Sequence, residues 1–151
     1  MAENQNLSHE AARRFTYLMN QIDELYHKVN AKSALSDSVS WILYCLFDMG
    51  GPCIQSEFTR LYGISRKTIN SALSKLESLG LVKRTAGDGR NVIVSLTEQG
   101  LALAKKSVEP MIAAENSVFD TWTQAEKSQF FSLMEKYKSA LEKQFKVQEL
   151  I

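Results

Sequence analysis

The sequence has no long apolar run. The longest is WILYCLF, Trp41 to Phe47, seven of 151 residues. A helix that crosses a bilayer needs about 20, so none is expected. Cysteine is scarce: Cys45 and Cys53 do not make a disulfide framework. The first residues, MAENQNLSHEAARR, are polar and lack the apolar stretch of a secretory signal. These absences together predict a soluble protein of the reducing cytoplasm. There is no Gly-rich phosphate loop and no nucleophile elbow. His9 and His27 are the only histidines and have no cysteine or carboxylate at ligand spacing, so no metal site is expected. With no convincing acid–base pair either, an enzyme is not expected, and no cofactor is implied. Net charge is only +1, so any nucleic-acid argument must rest on local charge.

What is present is helical periodicity. Phe15, Leu18, Ile22, Leu25 and Val29 recur at spacings of three and four, predicting an amphipathic helix over residues 8 to about 30. Ser36 or Asp37 can cap a second helix, which contains WILYCLF and runs through Met49. It is apolar nearly all round and should lie inside. Gly50-Gly51-Pro52 stops it. A short helix follows, about Ile54 to Leu61, with Phe58 and Leu61 facing inward. After the turn Tyr62-Gly63-Ile64, Ser65 is a good N-cap for a helix through Leu79, and Gly80 ends it. Ile69, Leu73, Leu76 and Leu79, with Ala72 beside them, form its apolar stripe.

Beyond Gly80 the period changes. LVKRT and VIVSL read as strands, with AGDGRN as the hairpin tip. A helix from Thr97 to about Phe119 should kink or break near Pro110. Thr123 and Glu126 form a capping box that opens a last helix bearing Phe130, Leu133, Tyr137, Leu141 and Phe145.

Charge is unevenly placed. Between Ser56 and Leu96 stand seven cations and three anions, a local surplus of four, which leaves −3 elsewhere. The open face of the 65–79 helix carries Arg66, Lys67, Asn70, Ser71 and Ser74, with Thr68 at its border and one acid, Glu77. Arg and Lys suit guanine acceptors or phosphates, Asn can pair with adenine, and a Thr methyl suits thymine. A helix serving only solubility is more often filled with Glu–Lys pairs.

Several short motifs occur in order: Gly63-Ile64-Ser65, Thr68-Ile69-Asn70, Leu76-Glu77, Gly80-Leu81-Val82-Lys83-Arg84, Asp88-Gly89-Arg90 and Val94-Ser95-Leu96-Thr97-Glu98-Gln99-Gly100. The ordered set resembles the winged helix–turn–helix of the MarR family of transcriptional regulators. The match is strong over about 63 to 100, and the order of flanking helices also fits. Relatives often carry Arg where Ser71 stands, Ser where Asn70 stands, and a capping Thr where Ile54 stands.

The resemblance implies a mainly α fold with a small β-hairpin wing: a winged helix–turn–helix flanked by N- and C-terminal dimerisation helices. The DNA-binding domain would span 36–100, with 8–35 and 101–151 forming one intertwined dimerisation region. It implies a homodimeric regulator, usually a repressor, on an inverted-repeat operator in double-stranded DNA. Independently, the apolar stripes of the flanking helices exceed what a module of about forty residues can cover, which favours a second chain.

The expected DNA-facing residues are Ser65, Arg66, Lys67, Thr68, Asn70, Ser71, Ser74 and Lys75 on the helix. Arg90 on the wing should reach the minor groove, with Asp88 holding its guanidinium or bracing the tip. The family commonly responds to small aromatic or anionic effectors, or to oxidants through Cys. Tyr17, Trp41 and Tyr44 are the candidates for a ligand pocket, and plain core is the competing role. Cys45 reads as core, whereas Cys53, beside Pro52 in a loop, is the candidate redox thiol. The alternative function is a winged-helix module that binds protein instead of DNA.

Overall fold

The computed structural model describes residues 2–33 and 35–151; Ala34, within the predicted 8–35 segment, lies outside the described residues. The chain divides into two compact units, Met1–Glu109 and Pro110–Ile151.

In the first unit, helix α1 spans Ala2–Asn30, α2 Asp37–Asp48, α3 Glu57–Tyr62, α4 Arg66–Ser78 and α5 Glu98–Ser107. Strands β1 (Cys53–Ile54), β2 (Val82–Ala86) and β3 (Val92–Leu96) form one antiparallel sheet in the order β1-β3-β2. The β2–β3 hairpin pairs Val82 with Leu96 and Ala86 with Val92. β1 joins the other edge of β3, with Cys53 opposite Val94.

The apolar spacing decides which side of each helix is covered. α2 buries Val39, Ile42, Leu43, Cys45 and Leu46 against α4 and α5. α4 buries Ile69, Ala72, Leu73 and Leu76, and Phe58 of α3 is fully covered. Val94 on the central strand and Val82 at the root of the hairpin complete this core, with Ala104 and Val108. Fully burying a Leu or Ile side chain contributes roughly 1.5–3 kcal/mol, so the back of α4 is held firmly.

Four expectations are corrected. The helix predicted from Ile54 begins at Glu57, because Cys53 and Ile54 pair with β3 as a strand. Leu61 and Leu79, predicted to face inward, are both exposed. Leu61 stands in the last turn of α3 and Leu79 just past the end of α4. Cys53 lies buried on that strand and not in an open loop. The predicted break near Pro110 is found: α5 ends at Ser107 and α6 starts at Glu109. Pro110 is the second residue of α6, where a missing N–H leaves no hydrogen bond unmade.

The second unit holds α6 (Glu109–Asp120) and α7 (Gln124–Val147). The Thr123–Glu126 capping box is formed on both sides. Phe119, Trp122, Phe130 and Phe131 cluster around the turn, with Phe119 stacked on Phe131 at 5.6 Å and Trp122 edge-on to Phe130 at 5.3 Å. Beyond this cluster, Leu133, Met134, Tyr137 and Phe145 remain exposed.

The start of α5 is seated on the root of the hairpin. Thr97 donates its backbone N–H to the Leu81 carbonyl at 3.0 Å and its hydroxyl to the Gly80 carbonyl at 2.7 Å. Gly80 itself has a φ of +70°, the left-handed conformation predicted for the residue that ends α4. A Cβ placed on Gly100 would stand 1.8 Å from the Leu81 carbonyl oxygen. Gly100→Ala should therefore lower stability by about 1–3 kcal/mol in urea denaturation. Gly51→Ala, which meets open space, should leave the midpoint nearly unchanged.

Candidate nucleic-acid interface

α3, a tight turn at Gly63-Ile64 and α4 make a helix–turn–helix, with β2 and β3 as an adjoining hairpin. The start of α4 is set by Ser65, whose Oγ accepts from the Thr68 N–H at 3.1 Å. The Ser65 and Thr68 hydroxyls also bond each other at 2.8 Å. Both side chains are thus engaged in the cap. The amides of Arg66 and Lys67 have no acceptor inside the helix, and their dipoles favour an anion at this end.

With Ile69, Leu73 and Leu76 buried, Arg66, Lys67, Asn70, Ser71, Ser74 and Lys75 are all exposed. The structure brings these predicted residues together on one face of α4. Asn70 is not isolated there: Gln55 Nε2 donates to its Oδ1 at 2.6 Å. Arg84 of β2 donates Nε to Glu77 Oε2 at 3.0 Å, and Nη2 pairs with the same oxygen. Nη2 also approaches the Ser74 hydroxyl at 3.5 Å. This pairing ties α4 to the hairpin.

The two glutamates of the region are paired within it, Glu57 with Arg60 at 2.9 Å and Glu77 with Arg84. Among the described residues, Arg66, Lys67, Lys75, Lys83 and Arg90 enter no ion pair. The local positive surplus is therefore concentrated on side chains that point to solvent. Such a stripe on a helix–turn–helix is the electrostatic footprint of DNA binding.

At the hairpin tip, Gly87 N–H donates to the Asn91 carbonyl at 2.9 Å and Asn91 N–H to the Asp88 carbonyl at 3.3 Å. Asp88 and Arg90 are both exposed. They form no ion pair, so Asp88 closes the turn through its backbone and does not hold the Arg90 guanidinium.

Trp41 stacks on Tyr44 at 5.0 Å and meets Tyr62 edge-on at 6.0 Å. Tyr62 donates its hydroxyl to Asp48 at 2.6 Å, and burial, followed by this bond, raises its pKa. Tyr17 is 64% exposed on α1. Tyr62 and Asp48 were not foreseen; the signal available was Tyr62 next to the turn glycine. Burial pushes the Cys45 thiol up to about 12 and the Cys53 thiol up to about 11. Cys53, the candidate redox residue, is therefore a buried and protonated thiol. Among the described residues no three His, Cys, Asp or Glu side chains are grouped to hold a metal, and no helix is long and apolar enough to cross a membrane.

A polar, cationic helix face beside a hairpin is the arrangement of a winged helix–turn–helix protein. Comparison with known proteins makes the class specific. The HTH-type transcriptional regulator PecS of Dickeya dadantii is 31% identical over 117 residues, 75% of this chain and 70% of PecS. The chain belongs to the MarR family of transcriptional regulators, a class of DNA-binding proteins and not of enzymes. It matches no family model in a scan against protein-family models.

Three solved structures share the fold. NMB1585, a MarR family regulator from Neisseria meningitidis, superposes with a TM-score of 0.73 at 22% identity, covering 87% of this chain and 94% of that one. A MarR family regulator from Listeria monocytogenes, complexed with a 26mer DNA, gives 0.68 at 18% identity, over 88% and 89% of the two chains. The organohalide-sensing regulator RdhR-CbdbA1625 in its 2,4-dichlorophenol-bound form gives 0.66 at 18% identity, over 89% and 80%.

The Glu77–Arg84 pair predicts a pH dependence. The hydrogen bond from Arg84, with the attraction of its charge, holds the Glu77 carboxyl below its ordinary pKa. A lowered folded-state pKa stabilises the fold above the unfolded value of about 4.3, and that stability is lost as pH falls through the folded value. Thermal melts of wild type and Glu77→Gln should differ at pH 7, with wild type higher, and the gap should close as pH falls below the unfolded value and through the lowered folded one.

Proposed function

We propose that this protein is a homodimeric transcriptional repressor that binds an inverted-repeat operator through α4 and is released by a small aromatic or anionic effector. The observation that carries the reading is the face of α4. Its apolar back is buried, while Arg66, Lys67, Asn70, Ser71, Ser74 and Lys75 stand open beside a hairpin tipped by Arg90. Ser65 and Thr68 form the cap that aims the helix end at a phosphate. Cationic contacts position the protein, and the amide and hydroxyl groups read base edges. Arg90 reaches toward the minor groove from the wing.

Residues 36–100 serve as the DNA-binding module, and 8–35 and 101–151 as the dimerisation region. Support comes from uncovered apolar faces. α1 exposes Leu18, Ile22, Leu25 and Val29, and α7 exposes Leu133, Met134 and Phe145. Apolar stripes on that scale favour a second copy. A two-fold dimer would set its half-sites about one helical turn, or 10 base pairs, apart. The Trp41–Tyr44–Tyr62 group, partly exposed and hydrogen-bonded to Asp48, supports an aromatic effector site. The dichlorophenol bound by RdhR-CbdbA1625 is an effector of that kind. Protein binding in place of DNA binding is disfavoured by the cationic and amide character of the α4 face.

Fluorescence anisotropy with the DNA upstream of the protein's own gene tests the reading. Specific binding should weaken steeply with salt. Arg90→Ala should lower affinity and flatten the salt dependence, by about one unit of slope for each phosphate it no longer neutralises. Equal affinity for the upstream DNA and for random duplex would overturn the reading. Sedimentation equilibrium should give twice the chain mass, and Ile22→Asp combined with Leu25→Asp should shift the protein toward monomer.

A further inference from the structure

The Gln55–Asn70 bond joins the segment before α3 to the open face of α4. Gln55 sits between β1 and α3, and its backbone N–H donates to the Val92 carbonyl of β3 at 2.8 Å. That bond anchors Gln55 to the sheet. Its half-buried side chain reaches across to α4 and donates Nε2 to Asn70 Oδ1 at 2.6 Å. Asn70 lies on the open face of α4, between Lys67 and Ser74.

The terminal torsion of an asparagine is soft and roughly two-fold. An untethered Asn on an exposed helix can therefore turn either its oxygen or its nitrogen outward. These present opposite chemistry to a base, an acceptor or a pair of donors. In the major groove the distinction is informative: guanine offers N7 and O6 as acceptors and thymine offers O4, cytosine offers an amino donor, and adenine offers an N7 acceptor beside an amino donor.

We propose that Gln55 is a specificity-determining positioning residue. By holding Asn70 Oδ1 from the protein side, it leaves Nδ2 as the group offered to the groove. Asn70 then reads an acceptor on a base edge, and Gln55 shapes the sequence preference without touching a base. This rests on the reading of α4 as the base-contacting helix. The bond to Val92 fixes the backbone from which the Gln55 side chain starts, and Nε2 is the atom that side chain turns to Asn70.

The test is selection of bound sites from a random duplex pool by the full-length protein and four variants: Asn70→Ala, Gln55→Ala, Gln55→Glu and the Ala–Ala double. Thermal melts check that each is folded. Asn70→Ala should flatten the preference at one base pair in each half-site. Gln55→Ala should weaken the preference at that same base pair about tenfold, and leave the other positions and the salt slope unchanged. Glutamate has no amide hydrogen to donate, so in Gln55→Glu the Asn70 amide should rotate to meet the carboxylate. The favoured base pair at that position should then change, not merely fade. The double variant should match Asn70→Ala there. If both Gln55 variants select as wild type does, or weaken every position alike, the inference is overturned while the reading of α4 stands. If Asn70→Ala changes no position, the assignment of Asn70 to base contact fails, and this inference fails with it.

Discussion

Burial of Ile69, Leu73 and Leu76 fixes the rotation of α4 about its own axis, and the remainder of the interface follows from that constraint. The three side chains lie on one helical stripe and are covered by α2 and the sheet. Rolling the helix by a third of a turn would expose them and drive Asn70 or Ser74 into an apolar core. Both changes are unfavourable, the first by loss of burial and the second by desolvation of polar groups. The chemistry of the open face is therefore oriented by the oily side behind it. A surface made of flexible side chains becomes directional because its backbone cannot turn.

The electrostatics follow a similar logic. Acids near α4 are neutralised in place: Glu57 lies against Arg60, and Glu77 against Arg84. Exposed pairs of this kind contribute little to stability. Their effect here is on the field, since the charges left over are nearly all of one sign. A chain of almost zero net charge can in this way present a cationic stripe. Arg84 has a second consequence, because its pairing with Glu77 and its approach to Ser74 join α4 to the strand that begins the hairpin.

Much of this architecture was legible in the sequence because its signals are local. Ser65 ahead of Arg66 marks a cap, Gly80 marks a stop, and the Thr123–Glu126 box needs only four residues to be recognised. The change of period after Gly80, the β-branched run VIVSL and the glycines at 87 and 89 marked the hairpin. What was not legible depends on partners distant in the chain. Cys53 and Ile54 are too few to show a period, and become a strand only because β3 lies alongside. Leu61 and Leu79 keep the apolar spacing yet stand exposed, because a helical stripe does not record which of its members a neighbour covers. The face of α4 was legible, but its bond to Gln55 was not, since the two residues are fifteen apart and neither is unusual alone. The thiol of Cys53 was misplaced for the same reason, as its burial is conferred by β3.

The seat of Gly100 on the Leu81 carbonyl gears α5 to the wing. No side chain cushions that contact, and two hydrogen bonds from Thr97 clamp the adjoining turn to Gly80 and Leu81. A helix mounted on bare backbone has no slack. If α5 slides along its axis, it must carry with it the residues where α4 ends and β2 begins. The spacing between the hairpin and α4 is then set by the helix that follows the sheet, much as a tuning peg sets a string it never touches along its length.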